Sequence, residues 1–194
     1  MDKQEYLDTF GRILDWMSVT VDDMKRCLIT DDKNCLKKAQ NEFKEMLVAS
    51  LPLINRVRVQ EEKDELEKRL LMLVPSLQGI AQAMETMLAR TKTKCESAIL
   101  FTDKGMGELT QVISAVKQLA RDAKDVFTTG NPNLKNHARS EMEKITRMAD
   151  DFALEHQQRL IVGQCTPQAS YLYVDMMDGL KRIVRELAYL SEKG

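Results

Sequence analysis

The sequence predicts an all-α protein, six long helices arranged as two antiparallel three-helix bundles in tandem. Three observations predict it. First, the 194 residues include only eight glycines, four prolines and 5% aromatics. That disfavours the turn-rich sandwiches and barrels, while the abundant Leu, Ala, Met, Glu, Lys, Gln and Arg lose little freedom in a helix. Second, apolar residues recur at steps of three and four along almost the whole chain, the spacing that places them on one helical face. Third, the two halves of the chain align with each other, the mark of an internal repeat.

The first helix is expected from about Lys3 to Ile29, with Leu7, Phe10, Leu14, Met17, Val21, Met24 and Leu28 on its buried face. Thr30, Asp31 and Asp32 then supply a break and a new N-cap. The second helix buries Leu36, Phe43, Met46, Ser50, Leu53 and Val57. Pro52 should bend it, because proline removes a backbone donor and crowds the preceding turn. The third carries Leu66, Leu70, Leu73, Leu77, Ile80, Met84 and Met87 in a heptad-like series, with Pro75 as a second bend. After Lys94, the apolar run Ala98–Phe101 is expected to pack as a connector.

Thr102 or Asp103 is then the cap of the fourth helix. Its face is Leu109, Val112, Ile113, Val116, Leu119, Ala123, Val126 and Phe127, and Gly130 ends it. Asn131-Pro132 is an N-cap followed by proline at the first helical position. The fifth helix buries Ala138, Met142, Ile145, Met148, Phe152 and Leu160 and ends at Gly163. Thr166-Pro167 repeats the cap-and-proline start. The sixth helix carries Tyr173, Met177, Leu180, Ile183, Val184, Leu187 and Leu190.

At an offset of 99 residues, Asp23, Lys25, Thr30, Asn34, Ala39 and Glu42 meet identical residues at Asp122, Lys124, Thr129, Asn133, Ala138 and Glu141. Near the third helix of each half the offset becomes 103, matching Leu77, Ile80, Met84 and Met87 with Leu180, Ile183, Leu187 and Leu190. The boundary between repeats therefore falls at residues 94 and 95, giving units 1–94 and 95–194.

Composition excludes several classes of function. The net charge is −1 with acids and bases interleaved, so no basic stripe marks a reader of nucleic acid. No stretch reaches the roughly 20 apolar residues of a spanning helix, and the polar, acidic N-terminus does not read as a signal peptide. The four cysteines, Cys27, Cys35, Cys95 and Cys165, form no CxxC pair, and His137 and His156 stand alone. Free, reduced thiols and no zinc site are the expectation. Neither histidine has a glutamate three residues before it, as a di-iron bundle requires. No strand-to-helix elbow or phosphate-cradling glycine loop occurs, so an enzyme is not expected.

Asp8, Asp15 and Asp22 recur every seven residues. A metal stripe is one reading; a solvated face with Asp8–Arg12 and Asp22–Arg26 pairs is the preferred one. Asp150-Asp151 and the run Glu61–Glu65 are read as solvent-facing too. His156, at the edge of the apolar stripe, is read as a satisfied interfacial histidine. The twelve methionines mostly sit at core-periodic positions and fill gaps there.

Arg159-Leu160, Gly163, Cys165 and Pro167, followed by Leu180–Ile183, resemble the closing helical hairpin of the PhoU family of phosphate-transport regulators. Phe101–Lys104 with Glu108-Leu109 is similar to PhoU-like regions at the C-terminus of bacterial sodium–phosphate cotransporters. The resemblance covers nearly the whole chain as two PhoU-type repeats. It implies a cytoplasmic protein, free or peripheral on the inner face of the cell membrane, that modulates phosphate transport or signalling by contact with a transporter or its sensor kinase. Membrane attachment would come only through that partner or through a transporter domain preceding this chain. A homodimer is a further possibility, and no cofactor is expected.

Many PhoU proteins hold iron or zinc through an acid-x-x-x-acid motif in the third helix of each repeat. Here Gln78 and Gln82 stand at those positions in the first repeat, and Lys181 and Arg185 in the second. Amides are poor ligands and cations repel a metal, so the metal site is not carried over. A shifted alignment would recruit Asp175, Asp178 or Glu186 instead. Lys181 and Arg185, one turn apart, are candidates for meeting an acidic partner surface or a phosphate. Two rival readings are a metal-binding storage or buffering bundle using other carboxylates and a generic helical dimerisation scaffold.

Overall fold

A computed structural model of the chain describes residues 3–59 and 65–193, and they form six helices. These are α1 (Lys3–Thr30), α2 (Lys33–Val59), α3 (Glu65–Glu96), α4 (Asp103–Thr129), α5 (Pro132–Ile161) and α6 (Pro167–Lys193). The side chains of Val57, Leu66 and Leu70 and residues 61–64 of the acidic run lie outside the described residues. Both α2 and α3 remain continuous helix through Pro52 and Pro75.

One apolar cluster runs through all six helices. Its members are the residues the three-four periodicity selects, including Phe10, Leu14, Met17, Leu53, Leu77, Met84, Val112, Leu119, Ile145, Leu180 and Leu187. Within each half the three helices pack on one another, and the halves join where α1 meets α4 and α3 meets α6. The first seam is antiparallel: Phe10 stacks on Phe127 with centroids 4.5 Å apart, Asp15 pairs with Lys124 at 2.6 Å, Asp22 pairs with Lys117 at 2.9 Å, and Lys25 bonds Ser114 at 2.8 Å. The Asp15–Lys124 and Ser114–Lys25 contacts exchange under the 99-residue offset, as a pseudo-twofold axis through this seam requires.

The two short turns repeat one design. In the first, Thr30 Oγ1 accepts from the Asp32 amide, Asp32 Oδ1 accepts from the Asn34 amide, and the Asp31 amide bonds the Cys27 carbonyl. In the second, Thr129, Asn131, Asn133, Gly130 and Val126 take the same places. The left-handed residue is Gly130 (φ 61°) in one turn and Asp31 (φ 52°) in the other. Aspartate tolerates that region better than most non-glycine residues.

Four local expectations are corrected. The connector 98–101 is only partly packed: Leu100 is 78% exposed, and only Phe101 reaches inward, edge-on to Tyr173 with centroids 6.4 Å apart. Leu160 is exposed and Arg159 is buried, because the guanidinium turns inward to a carboxylate. The fifth helix closes at Ile161, two residues before Gly163. Finally, Asp15 and Asp22 brace α1 against α4 as described, while Asp8 accepts from Gln4 and Arg26 pairs with Asp23 at 3.6 Å.

Candidate functional site

The strongest candidate for a binding site lies where the start of α5 runs beside the end of α6. Gly130 ends α4, and Asn131 accepts from the Asn133 amide while Pro132 occupies the first turn, so α5 begins at a defined point. That start projects Lys135 and Arg139, one turn apart, toward Arg185 and Glu192 of α6. Together with Met142, Ala188 and Tyr189 they line a groove of about 370 Å³. Arg139 pairs loosely with Glu192 at 3.6 Å. Among the described residues neither Lys135 nor Arg185 has an acidic partner. The exposed amides at the start of α5 add positive potential.

A second groove, of about 660 Å³, shares Lys135 and brings in Lys68, Arg69 and Glu65. Lys68 is neutralised by Glu65 at 2.7 Å, and Arg69 donates to the Lys193 carbonyl at 3.2 Å. This end of the molecule thus presents five cations against two carboxylates, on a chain whose net charge is −1. Sequence reasoning found Arg185 but missed Lys135 and Arg139, which lie on another helix 46 or more residues away. Their i,i+4 spacing directly behind the Asn131-Pro132 start was the available signal.

The four positions matched to the acidic motif are scattered in use. Gln78 is exposed, and Gln82 Oε1 accepts from Arg182 Nη2 at 2.8 Å across the α3–α6 seam. Lys181 is held between Asp178 (3.0 Å) and Asp150 (3.3 Å), whereas Arg185 points into the groove. Two acids of the shifted alignment are engaged, Asp175 with Arg90 and Asp178 with Lys181, while Glu186 lies over Gly79. An amide already accepting from a guanidinium and an ammonium already pairing two carboxylates do not fit a metal cluster. Among the described residues no three His, Cys, Asp or Glu side chains form a metal-binding group.

A buried polar cluster ties α4, α5 and α6 at the opposite end of the second half. Thr102 caps α4 by accepting from the Gly105 amide at 3.1 Å, which sets Glu108 one turn inside. Arg159 Nη1 and Nη2 donate to the two Glu108 carboxylate oxygens at 2.8 and 2.5 Å, and the Tyr173 hydroxyl donates to Oε2 at 2.6 Å. Burial and the Glu108 carboxylate drive the Tyr173 phenol far above its ordinary range. His156 stacks on Tyr173 with centroids 4.0 Å apart and meets Ser170 Oγ at 2.7 Å through Nε2. Burial, then the Arg159 charge, hold its imidazole below the usual histidine range.

This Ser–His pair is wired against nucleophilic catalysis. Arg159 Nη2 faces His156 Nδ1 at 3.4 Å, and a guanidinium can only donate. Nδ1 must therefore accept, which places the ring proton on Nε2 and makes the imidazole a donor to Ser170. A general base needs the reverse arrangement, with an acid orienting Nδ1–H. The cluster reads as a structural tie; the resemblance had picked out Glu108 and Arg159 separately, and the fold joins them.

No family model and no curated protein matches the chain. The fold does match solved structures across its whole length. PhoU from Pseudomonas aeruginosa superposes with a TM-score of 0.79 at 14% identity, covering 100% of this chain and 96% of that one. A PhoU-like protein from Shewanella oneidensis MR-1 gives 0.66 at 11% identity, covering 98% and 95%. A second Shewanella oneidensis MR-1 protein, named as a PhoU-like phosphate regulatory protein, gives 0.64 at 10% identity over the same shares. The architecture is the tandem three-helix fold of PhoU. The chain has that fold and, at one end, a cationic groove. No helix among the described residues is long and apolar enough to cross a membrane.

Proposed function

We propose that this chain is a PhoU-like regulatory module that adjusts phosphate transport or its signalling by docking on a membrane transporter or associated sensor kinase. The full-length likeness to PhoU supports the regulatory class. The observation that carries the docking site is the groove holding Lys135, Arg139 and Arg185, two of them without acidic partners among the described residues. An acidic surface of the partner is the complementary chemistry, and desolvated cation–carboxylate contacts there would set orientation and on-rate. Within the pair singled out from sequence, Arg185 is the contact and Lys181 a strut between α5 and α6.

The test is affinity capture from native membranes of phosphate-starved and phosphate-replete cells, comparing the wild type with Lys135→Glu/Arg139→Glu/Arg185→Glu. Wild type should recover a phosphate transporter or its kinase in one of the two states, and the triple variant should lose it while keeping its helical circular dichroism. Recovery of neither protein by wild type overturns the regulatory reading; undiminished recovery by the variant overturns the groove.

A further inference from the structure

Three of the four cysteines, Cys27, Cys35 and the distant Cys95, come together at the turn between α1 and α2. Cys27, near the end of α1, and Cys35, in the first turn of α2, have sulfurs 2.6 Å apart. The Cys27 thiol thus donates to the Cys35 sulfur, and the two are in direct contact, as closure to a covalent S–S bond of roughly 2.05 Å requires. Cys35 Sγ also donates to the Asp23 carbonyl at 3.3 Å, while Cys95 Sγ is directed at the Cys27 carbonyl, 3.8 Å away. The turn that sets this approach is fixed by the Asp31 amide bonding Cys27 O at 2.9 Å, by left-handed Asp31, and by the Asp31–Lys94 ion pair at 2.5 Å.

The second half shows what these positions ordinarily do. At the 99-residue offset, Cys27 and Cys35 correspond to Val126 and Leu134, which pack as plain apolar residues in a turn with the same hydrogen bonds. Thiols are therefore not needed to build the turn. Accessibility also divides the pair: Cys35 is half-buried, whereas Cys27 and Cys95 are buried. An oxidant arriving from solvent meets Cys35 first and finds Cys27 directly behind it, the arrangement of an attacking thiol with a resolving partner.

We propose that Cys27 and Cys35 form an oxidisable dithiol, closed reversibly to a disulfide by a hydroperoxide. The Cys35 thiolate attacks one peroxide oxygen, the O–O bond breaks, and hydroxide leaves, giving a sulfenic acid at Cys35. The Cys27 sulfur then attacks the Cys35 sulfur. An S–S bond forms, the S–O bond breaks, and the departing hydroxide takes the Cys27 proton as water. The two thiols lose two electrons and hydrogen peroxide gains them, yielding two waters overall once the Cys35 proton is counted. A dithiol reductant reverses the reaction by exchange. Closure pins the end of α1 to the start of α2. Cys95 stays out of the exchange by geometry, since its sulfur is directed at the Cys27 carbonyl and at neither partner sulfur.

The test treats native wild-type protein with hydrogen peroxide, denatures it, alkylates with N-ethylmaleimide, and digests with trypsin without reduction. Cleavage after Arg26, Lys33 and Lys37 separates the two cysteines into peptides 27–33 and 34–37, so a disulfide appears as a linked pair. The expected result is that linked pair, two maleimide additions instead of four, and full reversal by dithiothreitol. Cys95→Ser and Cys165→Ser should retain the link. Cys27→Ser should leave Cys35 as a sulfenic acid that dimedone labels. Four maleimide additions after oxidation, a Cys27–Cys95 link, or over-oxidation of Cys35 to the sulfinic acid in wild type would each overturn the proposal.

Discussion

Replacing Glu108 with Gln removes the charge that Arg159 faces while keeping the shape of the side chain. Both residues are buried, Glu108 at 4% and Arg159 at 7% exposure, so solvent cannot take over the guanidinium. Two charge-assisted bonds from Arg159 and one from Tyr173 end on this carboxylate. In Glu108→Gln one carboxylate oxygen becomes an amide NH₂ directed at a donor-only group, leaving the buried cation with only the Glu155 carboxylate 3.9 Å away, which Lys104 already holds. Breaking a buried pair in this way costs about 3–5 kcal/mol. For a chain of this length the unfolding entropy is about 0.4 kcal/mol/K, so the melting temperature should fall by about 7–12 °C. Differential scanning calorimetry measures the shift. Glu108→Gln/Arg159→Met removes both charges and should recover most of the loss, giving a coupling energy of at least ~2 kcal/mol in the double-mutant cycle. A single variant melting within about 2 °C of wild type, or a double variant costing the sum of the singles, would refute this account.

Three further outcomes follow from particular side chains. His156 is held below its ordinary pKa of 6.5, so the unfolded chain binds its proton first as pH falls. Stability should therefore decline from about pH 6.5 downward, and His156→Gln should flatten that slope in urea titrations relative to wild type. Gly107 lies inside α4, and a Cβ there meets nothing within 4 Å; Gly107→Ala should raise stability by about 0.5–1 kcal/mol in the same titrations. Gly130→Ala should lower stability by about 1–2 kcal/mol, because φ is +61° there.

Periodicity and the end signals made nearly all of the fold legible. Apolar spacing selects the same face that the fold buries, and the Asn131-Pro132 and Thr166-Pro167 starts fall where α5 and α6 begin. What it could not reveal was polar residues that exchange places with apolar ones. Leu160 fits the apolar stripe, but its neighbour Arg159 is buried because Glu108, 51 residues earlier, offers a carboxylate inside the bundle. The groove was half legible for the same reason. Arg185 stands out against a motif within its own helix, while Lys135 and Arg139 acquire meaning only once α5 lies beside α6. The thiol pair was invisible as well, since Cys27 and Cys35 share no spacing that signals chemistry until a helical turn folds them together.

The pseudo-twofold seam between α1 and α4 has a consequence for stoichiometry. Symmetry of the frame would offer a partner two equivalent places to sit, but the residues do not honour it. The counterparts of Lys135, Arg139 and Arg185 in the first half are Leu36, Gln40 and Gln82, none of them charged. A ligand that needs all three cations therefore finds one site per chain, with saturation at one equivalent, even though Lys33 and Lys37 of the first half stand where the second has Pro132 and Asn136. The duplicated frame is two-sided and this trio of cations is one-sided, which gives the molecule a polarity that its helices alone do not have.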